Sequence, residues 1–146
     1  MKRITSLLLT VVFASACASL PPAPQPRADT PVSASFGRTW DAVVDYFARS
    51  SIPIKTIDRT SGLIAAETTR LAGDNSRYGV CINPLRSFAP QGGSFNVLVK
   101  GDSTRSTVRV TATWLAAPPV EAQCQTSDVW EKQFETAIKA KAETAP

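Results

Sequence analysis

The sequence predicts a single α+β domain: a four-stranded antiparallel sheet of two hairpins, with two helices packed on one face. Three observations carry this. Apolar and polar residues alternate on both sides of a turn between residues 94 and 114. β-branched residues flank a second turn between 52 and 69. Apolar residues recur at helical spacing in two further stretches, 36–50 and 128–142.

Phe36 to Ser50 places Phe36, Trp40, Val43, Val44 and Phe47 along one face of an amphipathic helix, with Ser35 as its N-cap. Val32 to Ser35 reads as a short strand ahead of it. Ile52 to Ile57 is rich in β-branched residues, and Pro53 marks a strand start or a sheet edge. Asp58-Arg59-Thr60-Ser61-Gly62 is turn chemistry, because Asp and Ser bond locally and Gly accepts positive φ. Leu63 to Thr69 returns as the second strand of this hairpin. Residues 72–93 have no period and contain four glycines and two prolines, which predicts a long loop. Loops of that length are functional, pinned or mobile.

Ser94 to Lys100 alternates with Phe95, Val97 and Val99 on one face. After a turn at Gly101 to Arg105, Ser106 to Trp114 alternates again. Val108, Val110, Ala112 and Trp114 fall on one side, with Arg109, Thr111 and Thr113 on the other. One face of the sheet is therefore expected to be wet. Asp128 to Ala142 reads as the second helix, with Trp130, Phe134, Ala137, Ile138 and Lys141 on a common face. Asp128 and Glu131 have the spacing of a capping box. Trp40, Phe47, Trp130 and Phe134 would fill the space between helices and sheet as core.

The first residues carry a different signal. Lys2 and Arg3 precede an apolar run from Leu7 to Phe13, then Ala14-Ser15-Ala16 and Cys17. A basic start, a short apolar stretch and small residues before a cut form a secretory signal over residues 1–16. The run is well short of the roughly 20 residues that a membrane-spanning helix needs. Phe13-Ala14-Ser15-Ala16-Cys17 resembles the bacterial lipobox, which implies that Cys17 becomes the diacylated first residue of the mature chain. Ordinary secretion is the alternative, since Ala14-Ser15-Ala16 also fits a plain signal-peptidase cut. The resemblance further implies the periplasmic face of the outer membrane, because Ala18 is not the aspartate of inner-membrane retention. Residues 17–33 follow as a tether, with Pro21, Pro22, Pro24, Pro26 and Pro31 favouring extended polyproline II geometry. The domain is assigned to residues 34–146.

Charge and cysteine count constrain the function. Of 16 Lys and Arg, two lie in the signal, so the mature chain sets 14 against 12 acidic residues. A net charge of +2 spread along the chain gives no nucleic-acid footprint. There are three cysteines, Cys17, Cys81 and Cys124, and lipidation of Cys17 leaves one pair. Residues facing each other across the turn at 101–105 sum to about 206, and Cys81 and Cys124 sum to 205. The loop entering at Ser94 and the loop leaving after Trp114 emerge from the same end of this hairpin, so a Cys81–Cys124 disulfide is feasible in an oxidising compartment. Two buried free thiols are the alternative.

Trp40-x2-Val43-x2-Tyr46-Phe47, followed by Ile52-x-Ile54-x2-Ile57-Asp58-Arg59-x2-Gly62-x-Ile64, resembles the repeated domain of the BamC lipoproteins of outer-membrane β-barrel assembly. The resemblance covers roughly residues 36–70. It implies a helix-grip type fold, structural roles for Trp40, Asp58 and Gly62, and a setting in the cell envelope. BamC has two such domains and a long partner-gripping N-terminal segment, whereas this chain has room for one domain behind a short tether.

Catalysis finds little support. The chain has no histidine, which removes Ser–His and Cys–His pairs and His-based metal sites. Asp58 and Glu67 stand several rungs apart on their hairpin. Arg70, Arg77 and Arg86 near the long loop read as solvated surface, with a weak contact to an anionic headgroup or an acidic partner as the alternative. The expectation is a lipid-anchored, non-enzymatic interaction module with an envelope protein as partner, no cofactor and no metal. The rival is a periplasmic binder of small molecules or lipids, with a pocket between sheet and helices.

Overall fold

A computed structural model describes residues 27–120 and 122–144. In chain order the elements are β1 (Thr30–Val32), α1 (Phe36–Arg49), β2 (Ile54–Asp58), β3 (Leu63–Ala66), β4 (Thr69–Arg70), β5 (Gly79–Ile82), β6 (Ser87–Phe88), β7 (Gly92–Gly101), β8 (Ser106–Leu115), β9 (Gln123–Thr126) and α2 (Val129–Thr144). The fold is α+β, with two helices and antiparallel sheets.

The alternation that marks β7 and β8 makes them the spine. They pair from Gly92↔Leu115 to Gly101↔Ser106. β3 joins the free side of β7, and β2 the free side of β3, so the two expected hairpins form one sheet. Phe95, Val97 and Val99 of β7 and Val108, Val110 and Trp114 of β8 are all buried. They face both helices, with α1 against β7 and α2 against β8 and β1. Trp40, Val43 and Phe47 from α1 and Phe134, Ile138 and Ala142 from α2 complete one hydrophobic cluster.

The sheet count corrects the expectation of four strands. The main sheet has six strands, because β1 adds to β8 and β4 adds to β7. A second sheet of three strands, ordered β6-β5-β9, is built from the segments expected to be loops. Residues 72–93 are therefore not one loop. Asn83 accepts from the amides of Leu85 and Arg86 at 3.0 and 2.9 Å, which folds β5 back onto β6. The pairing Lys100↔Thr107 also shifts the register of the main hairpin by one residue from expectation.

The start of the domain moves as well. Residues 27–33, expected to close the tether, belong to the fold: Thr30, Pro31 and Val32 pair with Val108, Thr107 and Ser106. Ahead of Thr30 the edge of β8 would be bare at Val110. Two side chains complete it. Glu135 Oε1 accepts from the Val110 amide at 2.9 Å, and Arg27 Nη1 donates to the Val110 carbonyl at 2.8 Å. Arg27 Nη2 and Glu135 Oε2 close the pair at 3.1 Å.

α1 keeps its expected cap, with Ser35 Oγ accepting from the Arg38 amide at 3.4 Å. α2 departs from expectation. Its buried face is Glu131, Phe134, Glu135, Ile138 and Ala142, with Trp130 half-buried, while Ala137 and Lys141 are exposed. The expected capping box does not form. Asp128 adopts φ 61° and pairs with Arg27 at 3.5 Å, and Glu131 accepts from Thr126 Oγ1 at 2.8 Å.

Candidate functional site

Both chain segments that leave the main hairpin beyond Gly92 and Leu115 build one pole of the molecule. The three-stranded sheet stands there, and its β5–β6 hairpin is a short finger. Cys81 pairs with Cys124 across β5 and β9, and the two are disulfide-bonded. The bond faces inward: Cys81 is fully buried and Cys124 packs on the hydrophobic cluster. The base is aromatic. Tyr78, just before β5, stacks on Trp114 at 5.8 Å, and Trp114 meets Trp130 edge-on at 6.0 Å.

With odd positions turned inward, the outer face of β5 presents Val80 and Ile82, which are 37% and 46% exposed. Leu85 at the apex is 91% exposed. The apex is hydrogen-bonded on both sides of Leu85, since the Asn83 amide also donates to the Arg86 carbonyl at 3.0 Å. Arg86 lies 5.5 Å from the Phe88 ring, beside the apex. These residues escaped the sequence reasoning. The signal was slight: Val80-Cys81-Ile82 is a short apolar run rich in β-branched residues, and Asn83-Pro84 starts a turn.

A second feature lies at the same pole. An open cleft of about 620 Å³ runs between β4 and residues 115–118, lined by Arg70, Leu71, Gln91, Leu115 and Ala117. Gly92 forms part of its wall, and a Cβ there would press on the Thr69 carbonyl. The cleft is not between sheet and helices. That space is filled, with Phe95 stacked on Trp130 at 4.1 Å and Tyr46 tilted against Phe134 at 3.9 Å.

The remaining expected residues fall elsewhere. Trp40 is buried and stacks on Phe36 at 5.9 Å. Asp58 closes the β2–β3 turn by accepting from the Thr60 amide at 2.9 Å and Ser61 Oγ at 2.8 Å. These bonds, led by the Ser61 hydroxyl, hold its carboxyl below the usual range. Gly62 follows with φ 73° and lies so close to the Val99 carbonyl that a Cβ would collide with it. Trp40, Asp58 and Gly62 are thus not gathered with the cysteines into one site. Cys17 lies outside the described residues.

Among the described residues, no group of three or more His, Cys, Asp or Glu side chains could hold a metal ion. None of their helices is long and apolar enough to cross a membrane. No protein-family model matches the chain, and no curated protein matches it either.

Proposed function

We propose that this protein is a lipid-anchored component of the cell envelope, held at the periplasmic face of the outer membrane through Cys17. It acts there as a non-enzymatic interaction module. One observation carries the proposal: Cys81 and Cys124 are bonded to each other, which leaves Cys17 as the odd one of three. A pair of that kind suits an oxidising compartment, and an unpaired cysteine there needs an explanation. Acylation at the lipobox-like segment supplies it. The filled space between sheet and helices supports action through surfaces over an internal ligand. The BamC-like pattern at 36–70, with a helix-grip type arrangement, adds outer-membrane assembly as the setting.

A second reading has its own support. The cleft beside β4 is within the size range of small-molecule sites and combines apolar walls with Arg70 and Gln91. It favours a periplasmic binder of small molecules or lipids, with the site on the outer side of the sheet.

Fractionation tests the anchor. Stable membrane attachment takes two acyl chains, so the diacylated cysteine is the whole anchor in this proposal. The wild-type chain is expected in the membrane fraction and the Cys17→Ser chain in the soluble periplasmic fraction. Persistence of Cys17→Ser in salt-washed membranes would sink the proposal. Crosslinking in intact cells, followed by co-purification, then identifies the partner.

A further inference from the structure

We infer that the β5–β6 finger is a second membrane contact, in which Leu85, backed by Ile82 and Val80, enters the interfacial layer of an anionic bilayer while Arg86 meets its headgroups. The inference rests on the anchor proposed above and adds a surface to it.

Shape is the first argument. Leu85 stands almost fully exposed on a convex, hydrogen-bonded apex. Val80 and Ile82 are exposed on the outer face of β5, the strand that leads to this apex. Protein partners seat such anchors in well-packed pockets, whereas a bilayer interface takes a convex apolar tip without a matching cavity. Rigidity favours insertion too, because the Cys81–Cys124 bond and the Asx turn fix the apex beforehand.

Charge is the second argument. From Gly79 to Gln91 and along β9 the single charged side chain is Arg86. Arg77 adds a second cation at the base, where its Nη2 donates to the Tyr78 hydroxyl at 2.6 Å. A cation near an anionic membrane surface contributes about a fivefold gain in binding. An acidic protein partner would suit Arg86 equally but leaves the bare Leu85 without a role.

Position is the third. Arg27 pairs with Asp128, and the neighbouring Ser127 amide donates to the Tyr78 carbonyl at the base of the finger, at 3.0 Å. The chain therefore joins the fold beside this sheet. Ten residue steps lead from Cys17 to Arg27, a span of at most about 35 Å. The finger rises about 10 Å from Gly79 to Ile82. A lipid on Cys17 thus holds this pole within reach of the bilayer.

The test uses the exported Cys17→Ser chain with its disulfide intact, so that no acyl chain contributes. Leu85→Trp adds an exposed indole, while Trp40 and Trp114 are buried and Trp130 is half-buried. With phosphatidylglycerol vesicles bearing brominated acyl chains, the emission of the new indole is expected to shift to the blue and be quenched. In the parent chain, Leu85→Asp should weaken binding to these vesicles at least tenfold, as loss of an inserted leucine requires. Arg86→Glu should weaken it on phosphatidylglycerol and leave binding to phosphatidylcholine unchanged. An unquenched indole overturns the inference, as does unchanged binding of Leu85→Asp. Capture of an envelope protein at position 85 without quenching assigns the finger to that protein and also overturns it. The anchor is judged separately by fatty-acid labelling of Cys17 in the wild-type chain, which the finger cannot supply, so failure of either idea is visible without the other.

Discussion

Asp102 shows how much a single carboxylate does in this fold. It closes the turn between β7 and β8 by accepting from the Thr104 and Arg105 amides at 2.7 and 3.0 Å and from Thr104 Oγ1 at 2.7 Å. Such bonds favour the charged form, and they pull its pKa from 3.8 to about 2, the Arg105 amide contributing most. A depressed pKa stabilises the fold where the carboxyl is ionised in both states. That contribution is complete above about pH 4 and is lost as pH falls through about 2. We expect the Asp102 carboxyl carbon to titrate near 2 in NMR. We also expect Asp102→Asn to remove part of the stability loss between pH 4 and pH 2. A titration midpoint at the ordinary value of 3.8 would refute this account of the turn. Asp58 and Gly62 do comparable work at the β2–β3 turn, and there the residues alone signalled both. Arg27 and Glu135 had no such signal. A Glu on a helix reads as surface until the strand edge that it completes is known.

The small sheet is the element that depends most on a covalent bond. It consists of strands of two and four residues, too short for independent stability. The Tyr78–Trp114 stack ties it to the main sheet, and within it the Cys81–Cys124 bond joins β5 to β9 and closes a loop of sequence separation 43. Replacing both cysteines by serine should lower stability by up to about 4 kcal/mol. Amide exchange should rise sharply across β5, β6 and β9 and little in β7 and β8. Equal protection of the small sheet in the double variant would show that packing alone holds it. The main hairpin and α1 were legible because each buries one periodic face. β5, β6 and β9 were not, because only alternate residues of very short strands face the core, and Gly79, Asn83 and Pro84 mask the period. The disulfide was foreseen from the shared direction of the two loops, and the direct strand pairing beneath it was not. α2 misled for another reason. Glu131 and Glu135 occupy buried positions, so apolar spacing tilted the expected face toward Ala137 and Lys141.

At the scale of the whole molecule, Phe134 joins the parts. It is fully buried and meets Tyr46 and Phe47 of α1 and Trp130 of its own helix, at 3.9, 5.4 and 5.0 Å. Removing a ring from such a site costs transfer energy and leaves a cavity, together about 3–5 kcal/mol. Phe134→Ala should therefore lower the unfolding midpoint of helices and sheet together in one transition, as circular dichroism and tryptophan emission would record. Divergent transitions would mean that the two helices hold independent cores. The sheet's outer edge is guarded differently: β2 carries Lys55, begins after Pro53 and has a register shift between Ile54 and Thr56, all of which discourage pairing with another chain.

Arg27 has a mechanical consequence. Any tension on the N-terminal segment reaches the fold at this guanidinium, which is fastened to Asp128 and Glu135 on the α2 side and to the Val110 carbonyl in mid-sheet. The load is shared by three attachments before the β1–β8 ladder feels it. A short leash that is pulled then draws on the middle of the structure, and the cross-linked finger beside it keeps its shape under strain.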